Sequence, residues 1–142
     1  MARFASAQGS QTEAINAVAD VANQVGGGAY EERTAGAVTL TPAQMINGII
    51  KQGGTPGAFN MTTASAAALV AAIKNCQVGS KFEFALINGG DNTVTIVAGT
   101  GVTLKGTTAV PTAKTQVYRG VVTNAAAGSE AVTFVGLLTA PV

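Results

Sequence analysis

The sequence predicts a mainly β domain, a small β-sandwich or jelly-roll-like barrel with one or two short helices, preceded by an N-terminal arm or helix. Three observations support this class. After residue 36, apolar and polar residues alternate with a period of two in run after run. Short connections rich in Gly separate these runs, as in sandwiches and small barrels. The outer positions of the runs carry Thr rather than Lys or Glu, which suits a pleated surface but protects strand edges poorly.

The first part of the body combines short strands with two short helices. Thr41 and Pro42 fit the N-cap and the first position of a helix. Gly53–Gly57 contains several residues that break regular structure, so it predicts a loop. Ile49 and Ile50 fit either a short strand or the end of the first helix. The predicted elements are a strand at Ala37–Thr41, a helix at Pro42–Asn47, a strand at Phe59–Met61 and a helix at Thr63–Asn75.

The remainder of the body predicts only strands. In Lys81–Ile87 the alternation places Phe82, Phe84 and Leu86 on one face. Tight hairpin turns are predicted after this strand and after the next one, because both connections offer residues that tolerate positive φ. These turns are Asn88–Asn92 and Gly99–Gly101. The further strands are Thr93–Ala98, a run that contains Val102 and Leu104, Lys114–Asn124 and Ala131–Leu138. In the first two of these strands the inward residues are Val94, Ile96, Val102 and Leu104.

Composition divides the chain into an N-terminal segment, residues 1–35, and a body domain, residues 36–142. The segment has four acidic and two basic residues, a net charge of −2, whereas the body has three acidic and six basic residues, a net charge of +3. Gly26–Gly28 lies close to this boundary and permits a flexible hinge. We therefore expect an arm or helix that is joined to the body by a glycine hinge.

A helical pattern precedes the hinge. Ser10 and Glu13 fit a capping box, and four apolar residues follow at spacings of three and four, an a/d stripe of about two heptads. Two heptads are too short to be stable alone in water. The segment therefore packs on its own body, pairs with copies of itself or a partner, or orders only on docking. The stripe consists of Ile15, Val18, Ala22 and Val25.

The composition excludes several kinds of chemistry. The chain has no His, so imidazole can serve neither as a catalytic base nor as a metal ligand. Cys76 is the single cysteine, which prevents a disulfide within the chain and fits a buried structural thiol. A net charge of +1 gives no electrostatic case for nucleic acid. The longest apolar tract, Ala64–Ile73, has about half of the ~20 residues that cross a membrane.

No motif supports catalysis or a cofactor. Gly48–Thr55 has the spacing of a phosphate-binding loop, but Gly54 stands where the lysine is needed. Glu83 and Glu130 would have to share a cleft to act as a carboxylate pair, and the strand pattern places Glu83 on an outward face. Asp91 has no acidic neighbour in sequence and fits a turn better than a calcium site. We therefore expect no catalytic, cofactor-binding or metal-ligating residue.

Four stretches of the body share the patterning of one group of domains: 39–49, 62–73, Phe82–Val110 and 119–137. Together they resemble a recurring β domain of tailed-bacteriophage virion proteins, above all the head decoration, or cement, proteins. The resemblance covers roughly Val38–Leu138. It implies a homotrimer at local three-fold positions of an icosahedral head, with the N-terminal arm reaching the major capsid protein or neighbouring trimers. Similar domains occur in phage fibre and tail proteins.

These observations lead us to expect a non-enzymatic structural protein on the outer surface of a phage capsid, made in the bacterial cytoplasm. Charged residues are 11% of the chain, against about 25% in an average soluble protein, which favours surfaces covered by neighbours. The alternative is a fibre- or tail-associated module that binds a receptor or glycan, which the absence of Trp disfavours. The residues expected to contact the capsid or another copy are Ile15, Val18, Ala22, Val25 and Tyr30.

Overall fold

The computed structural model describes residues 28–137, and this part of the chain is mainly β, as predicted. Two sheets and two short helices form it. The strands are β1 Tyr30–Arg33, β2 Val38–Thr39, β3 Ile49–Gln52, β4 Phe59–Thr62, β5 Lys81–Asn88, β6 Val94–Val97, β7 Val102–Gly106, β8 Ala109–Val110, β9 Lys114–Asn124 and β10 Ala131–Leu137; the helices are α1 Pro42–Met45 and α2 Ala66–Ala72.

The chain alternates between the two sheets from β1 to β9. The larger sheet has the order β1-β3-β5-β9-β10-β7, and the smaller has the order β2-β4-β6-β8. The pairs β1–β3, β3–β5, β2–β4 and β4–β6 are all parallel. The first part of the body therefore winds as a coil in which each turn adds one strand to each sheet. The β9–β10 hairpin then fills the larger sheet, and β10 pairs in parallel with β7.

This winding corrects two predicted hairpin turns. Asn88–Asn92 follows β5 in the larger sheet and leads to β6 in the smaller one, and Gly99–Gly101 leads back from β6 to β7. Both segments connect sheets instead of joining paired strands. The jelly-roll detail of the prediction is not confirmed, because a jelly roll is built from antiparallel pairs. A period of two does not distinguish parallel from antiparallel strands.

Both helices are confirmed, but each is shorter than predicted. Thr41 caps α1 in a complete capping box with Gln44, and Ser65 caps α2. After α1 the backbone turns at Asn47, whose φ is 57°, a conformation that Asn tolerates. Thr63 belongs to the preceding connection: its hydroxyl donates to the Ala64 carbonyl and accepts from the backbone N–H of Gly99 at 2.8 Å.

Aromatic side chains fill the core between the sheets. Phe82, Phe84 and Leu86 all point inward, as the alternation predicts. The ring of Phe84 stacks on Tyr118 at a centroid distance of 5.1 Å, and the ring of Phe134 meets both Phe82 and Phe84 edge to face. Burial raises the pKa of the Tyr118 phenol. The cluster ties β5, β9 and β10 together, and these strands carry the outer surface described below.

A buried amide joins the two sheets. Asn88 ends β5, and its Nδ2 donates at 2.8 Å to the carbonyl of Val110, in the smaller sheet, and at 2.8 Å to the carbonyl of Asn92. Its Oδ1 accepts from the backbone N–H of Gly90 at 3.0 Å. Gln52 ends β3, lies beside Asn88 in the parallel register and is likewise buried. Successive turns of the coil thus end their larger-sheet strand on a buried amide.

Candidate functional site

Four of the five predicted contact residues lie outside the described residues: Ile15, Val18, Ala22 and Val25. Their contact role stays a prediction. Tyr30 is described, and its side chain is 61% exposed. It begins β1, the edge strand of the larger sheet, and lies beside Ile49 in the parallel register. The last residues of the predicted N-terminal segment therefore form part of the body's own sheet.

The entry of the chain into the sheet is held closely. The Ala29 carbonyl accepts from the N–H of Ile49 at 2.8 Å. A Cβ on Gly28 would lie 1.7 Å from the carbonyl oxygen of Asn47, so only glycine fits this approach. Gly28 was predicted as part of a hinge, and here its small size allows two backbones to meet.

Apolar residues line up across the outer face of the larger sheet. The registers place Tyr30 beside Ile49, Ile49 beside Ala85, Ala85 beside Val117 and Val117 beside Leu137. We call these five residues the apolar row. Ile49 is 41% exposed and Leu137 is 39% exposed, and Val135 next to the row is also 39% exposed. Within residues 28–137 both ends of the row are therefore exposed, and Ala85 and Val117 between them are partly exposed.

The outer surface of the sheet has a depression at the centre of the row. Ala85 has a small side chain between the larger Ile49 and Val117, and a depression of about 240 Å³ lies there. Glu83 and Asn47 line its border. An apolar side chain from a partner would fit between Ile49 and Val117, because both neighbours are branched aliphatic residues.

Ion pairs lie on both sides of the row. On one side Lys51 Nζ is 3.1 Å from Glu32 Oε1, and on the other side Arg119 is 3.4 Å from Glu83 Oε2. All four side chains are about half exposed or more. An apolar centre with a polar, solvent-accessible border is the usual anatomy of a protein–protein interface. This face therefore has the layout of residues that a contact surface would have.

Tyr30 links the row to one of these ion pairs. Its phenol donates to Glu32 Oε1 at 2.8 Å, and Lys51 donates to the same oxygen at 3.1 Å. The hydrogen bond from Tyr30, followed by that from Lys51, lowers the pKa of the Glu32 carboxyl. The same hydrogen bond raises the pKa of the Tyr30 phenol, and Glu32 raises the pKa of the Lys51 ammonium group. These interactions fix the orientation of Tyr30 at the end of the row.

The other candidate residues of the sequence analysis take part in ion pairs, hydrogen bonds or core packing. Glu83 lies on the outward face, as predicted, and pairs with Arg119. Asp91 accepts from the backbone N–H of Gly57 at 3.2 Å, and the half-buried Cys76 packs against the core. The near-match to a phosphate-binding loop continues into β4 rather than a helix.

The described part of the chain lacks two further features. Residues 28–137 contain no cluster of three or more Cys, Asp or Glu side chains suited to a metal ion. In the same range, neither helix has the length and apolar character needed to cross a bilayer.

Sequence reasoning missed the row because the row depends on register. Its members are separated by 19 to 36 positions along the chain and come together only through three parallel or antiparallel registers and one hairpin. The sequence contains only a local sign of the row. Ala85, Val117 and Leu137 are apolar residues at positions where the alternation calls for an outward, polar residue.

Comparison of the chain with protein-family models, curated proteins and solved structures found no match.

Proposed function

We propose that this chain is a non-enzymatic virion structural protein that decorates a phage capsid and stabilises it by bridging capsid subunits, acting as a trimer. The observation that supports it best is the apolar row with its bordering ion pairs. The row offers a contact surface on a rigid sheet, and the function proposed is one of contact. Placement on a phage head rests on the resemblance of roughly Val38–Leu138 to head decoration proteins.

The size of the row favours several weak contacts over a single strong one. Full burial of a large apolar side chain stabilises a contact by ~1.5–3 kcal/mol. The most exposed side chains at the row, Tyr30, Ile49, Val135 and Leu137, are 39% to 61% exposed. Each then has about 1 kcal/mol left to gain, roughly 4 kcal/mol from this side of a contact, so a single contact is weak once the cost of association is subtracted. Three linked copies would multiply this modest affinity through avidity.

Low charge supports the same proposal. Charged residues are 11% of the chain, and the net charge is +1. A free monomer normally depends on charged surface to stay apart from its neighbours. A chain with little charge and an open apolar row is better suited to a site where neighbours cover it. The major capsid protein and further copies of this chain are the partners that a head would supply.

Imaging of virus particles tests the proposal. Particles of the phage that encodes the chain would be compared with particles from a deletion mutant of the same phage. We expect density for the protein at the local three-fold positions of the head, absent from the mutant. The mutant heads should also release DNA at lower temperature. Density only on the tail or fibres, or no density on the particle, would contradict the proposal, and the former would favour the fibre- or tail-associated alternative.

A further inference from the structure

We propose that the apolar row of one copy receives the N-terminal segment of a neighbouring copy, residues 10–25. This inference rests on the proposed function in one respect, that the protein works as an assembly of several copies. It names the surface and the segment that hold these copies together.

The size of the row suits a helix. Five strands at ~4.8 Å spacing give the row a length of about 19 Å, and the ion pairs on its two sides lie about 13 Å apart along the strand direction. A helix over residues 10–25 would be about 24 Å long and about 10 Å wide, which matches the row.

The sequence pattern of the segment complements the row. The stripe from Ile15 to Val25 would extend about 15 Å along a helix, within the length of the row. Glu13 and Asp20 are seven residues apart and fall opposite the stripe, so both carboxylates would remain in water. One branched residue of the stripe, such as Val18, would fill the depression above Ala85. Apolar side chains then meet apolar side chains, and charges stay at the border.

The reach of the chain favours a neighbouring copy over the same copy. The contacts of Gly28 and Ala29 hold the chain at the start of β1. Between Val25 and Gly28 only three Cα steps remain, about 10 Å when fully extended. A helix packed on a sheet lies about 10 Å above it. To lie on the row of its own copy, the segment would have to leave β1 at a right angle and extend residues 25–28 almost fully. The sheet of a neighbouring copy can lie against the segment without this extension.

Cross-linking of mixed copies tests the inference. All chains are full length and carry Cys76→Ala, so that no native thiol competes. One preparation also carries Val18→Cys and the other Ile49→Cys, and the two are mixed unfolded, refolded together and treated with a short bismaleimide. The expected product joins position 18 of one chain to position 49 of another, identified by mass spectrometry of the linked peptides. Because each chain has one thiol, this product forms only between copies.

A matched control uses the same sheet. Thr103→Cys replaces Ile49→Cys, because Thr103 is an exposed residue of β7 at the opposite edge of the larger sheet. We expect about tenfold more of the 18-to-49 product than of the 18-to-103 product, as a docked segment has a high effective concentration at the row. Val25→Cys with Leu137→Cys provides a second pair if Ile49→Cys folds poorly.

Two results would overturn the inference. Equal yields at positions 49 and 103 would mean that another occupant covers the row. The doubly substituted chain Val18→Cys/Ile49→Cys, diluted before treatment, would yield a one-chain product if each segment covered its own row. Either failure leaves the imaging of virus particles unaffected, so loss of this inference and loss of the proposed function are distinguishable.

Discussion

Ala85 and Val117 are cross-strand partners of β5 and β9 at the centre of the apolar row. Ala85 leaves a depression of about 240 Å³ that Val117 and Ile49 border. Neighbouring β positions normally bring side chains within about 5 Å of each other, so a partner's side chain entering here would contact several apolar groups at once. The small size of Ala85 thus gives the row a shape as well as a composition.

Filling this depression should weaken association. Ala85→Phe would occupy the space above the sheet while leaving the inner face unchanged, so we expect about tenfold weaker association and a folded chain of nearly unchanged stability. Sedimentation velocity over a concentration series measures the first effect, and thermal unfolding the second. Thr103→Phe is the control, since it adds the same ring elsewhere on this face. Equal effects of the two substitutions would show that the depression has no special role.

The buried amide of Asn88 should be important for stability. Asn88→Ala removes two hydrogen bonds to carbonyls and leaves the N–H of Gly90 without its acceptor. We expect a loss of about 3 kcal/mol in the free energy of unfolding, because buried groups left unpaired are costly. Urea unfolding measures the loss. Asn92→Ala, at an exposed position of the same connection, should cost no more than about 0.5 kcal/mol.

Gly120 should be intolerant of a side chain for a packing reason. A Cβ there would lie 2.7 Å from the ring of Phe134 and 2.9 Å from the ring of Phe82. Gly120→Ala therefore forces the rings apart, and we expect a loss of about 1–3 kcal/mol in the free energy of unfolding. Gly36→Ala is the matched control, because a Cβ at that position meets only ordinary contacts. A neutral Gly120→Ala would mean that the rings move freely.

The cluster at the end of the row should respond to acid. The pKa of Glu32 is lowered mainly by the hydrogen bond from Tyr30, so Tyr30→Phe should raise it towards the ordinary value of a glutamate. A carboxyl with a lowered pKa in the folded state stabilises the fold above its ordinary pKa and loses that contribution as the pH falls through the folded-state pKa. Carboxyl titration by NMR in the two proteins measures the shift. An unchanged Glu32 pKa would show that Tyr30 does not hold this carboxylate.

Much of the local structure could be predicted from the sequence, but not its assembly. The alternation at Phe82, Phe84 and Leu86 predicts that these residues are buried. Thr41 as an N-cap and Pro42 as a first helical residue predict α1. The parallel coil could not be found in this way, because glycine-rich connections serve crossings between sheets as well as hairpins. A subtler signal was present: Gln52 and Asn88 are each followed by two glycines, and each ends a larger-sheet strand.

The candidate site was harder to predict for the same reason. Tyr30 was singled out from the sequence as a contact residue, but its neighbour Ile49 lies on a different strand that is parallel to β1. A contact surface that crosses five strands requires every register between them, and each register depends on burial over the whole sheet. The sequence indicates that outward apolar residues exist, and only the fold shows that they form one row.

The mass of the protein in solution, measured by sedimentation equilibrium, tests most directly whether the apolar row holds copies together. We predict three times the chain mass of 14.0 kDa for the natural sequence at micromolar concentration. Ile49→Glu/Leu137→Glu should shift the mass towards that of a single chain, while Thr103→Glu should not. A natural protein that sediments as a single chain, or a double variant whose mass stays threefold, would contradict this role of the row.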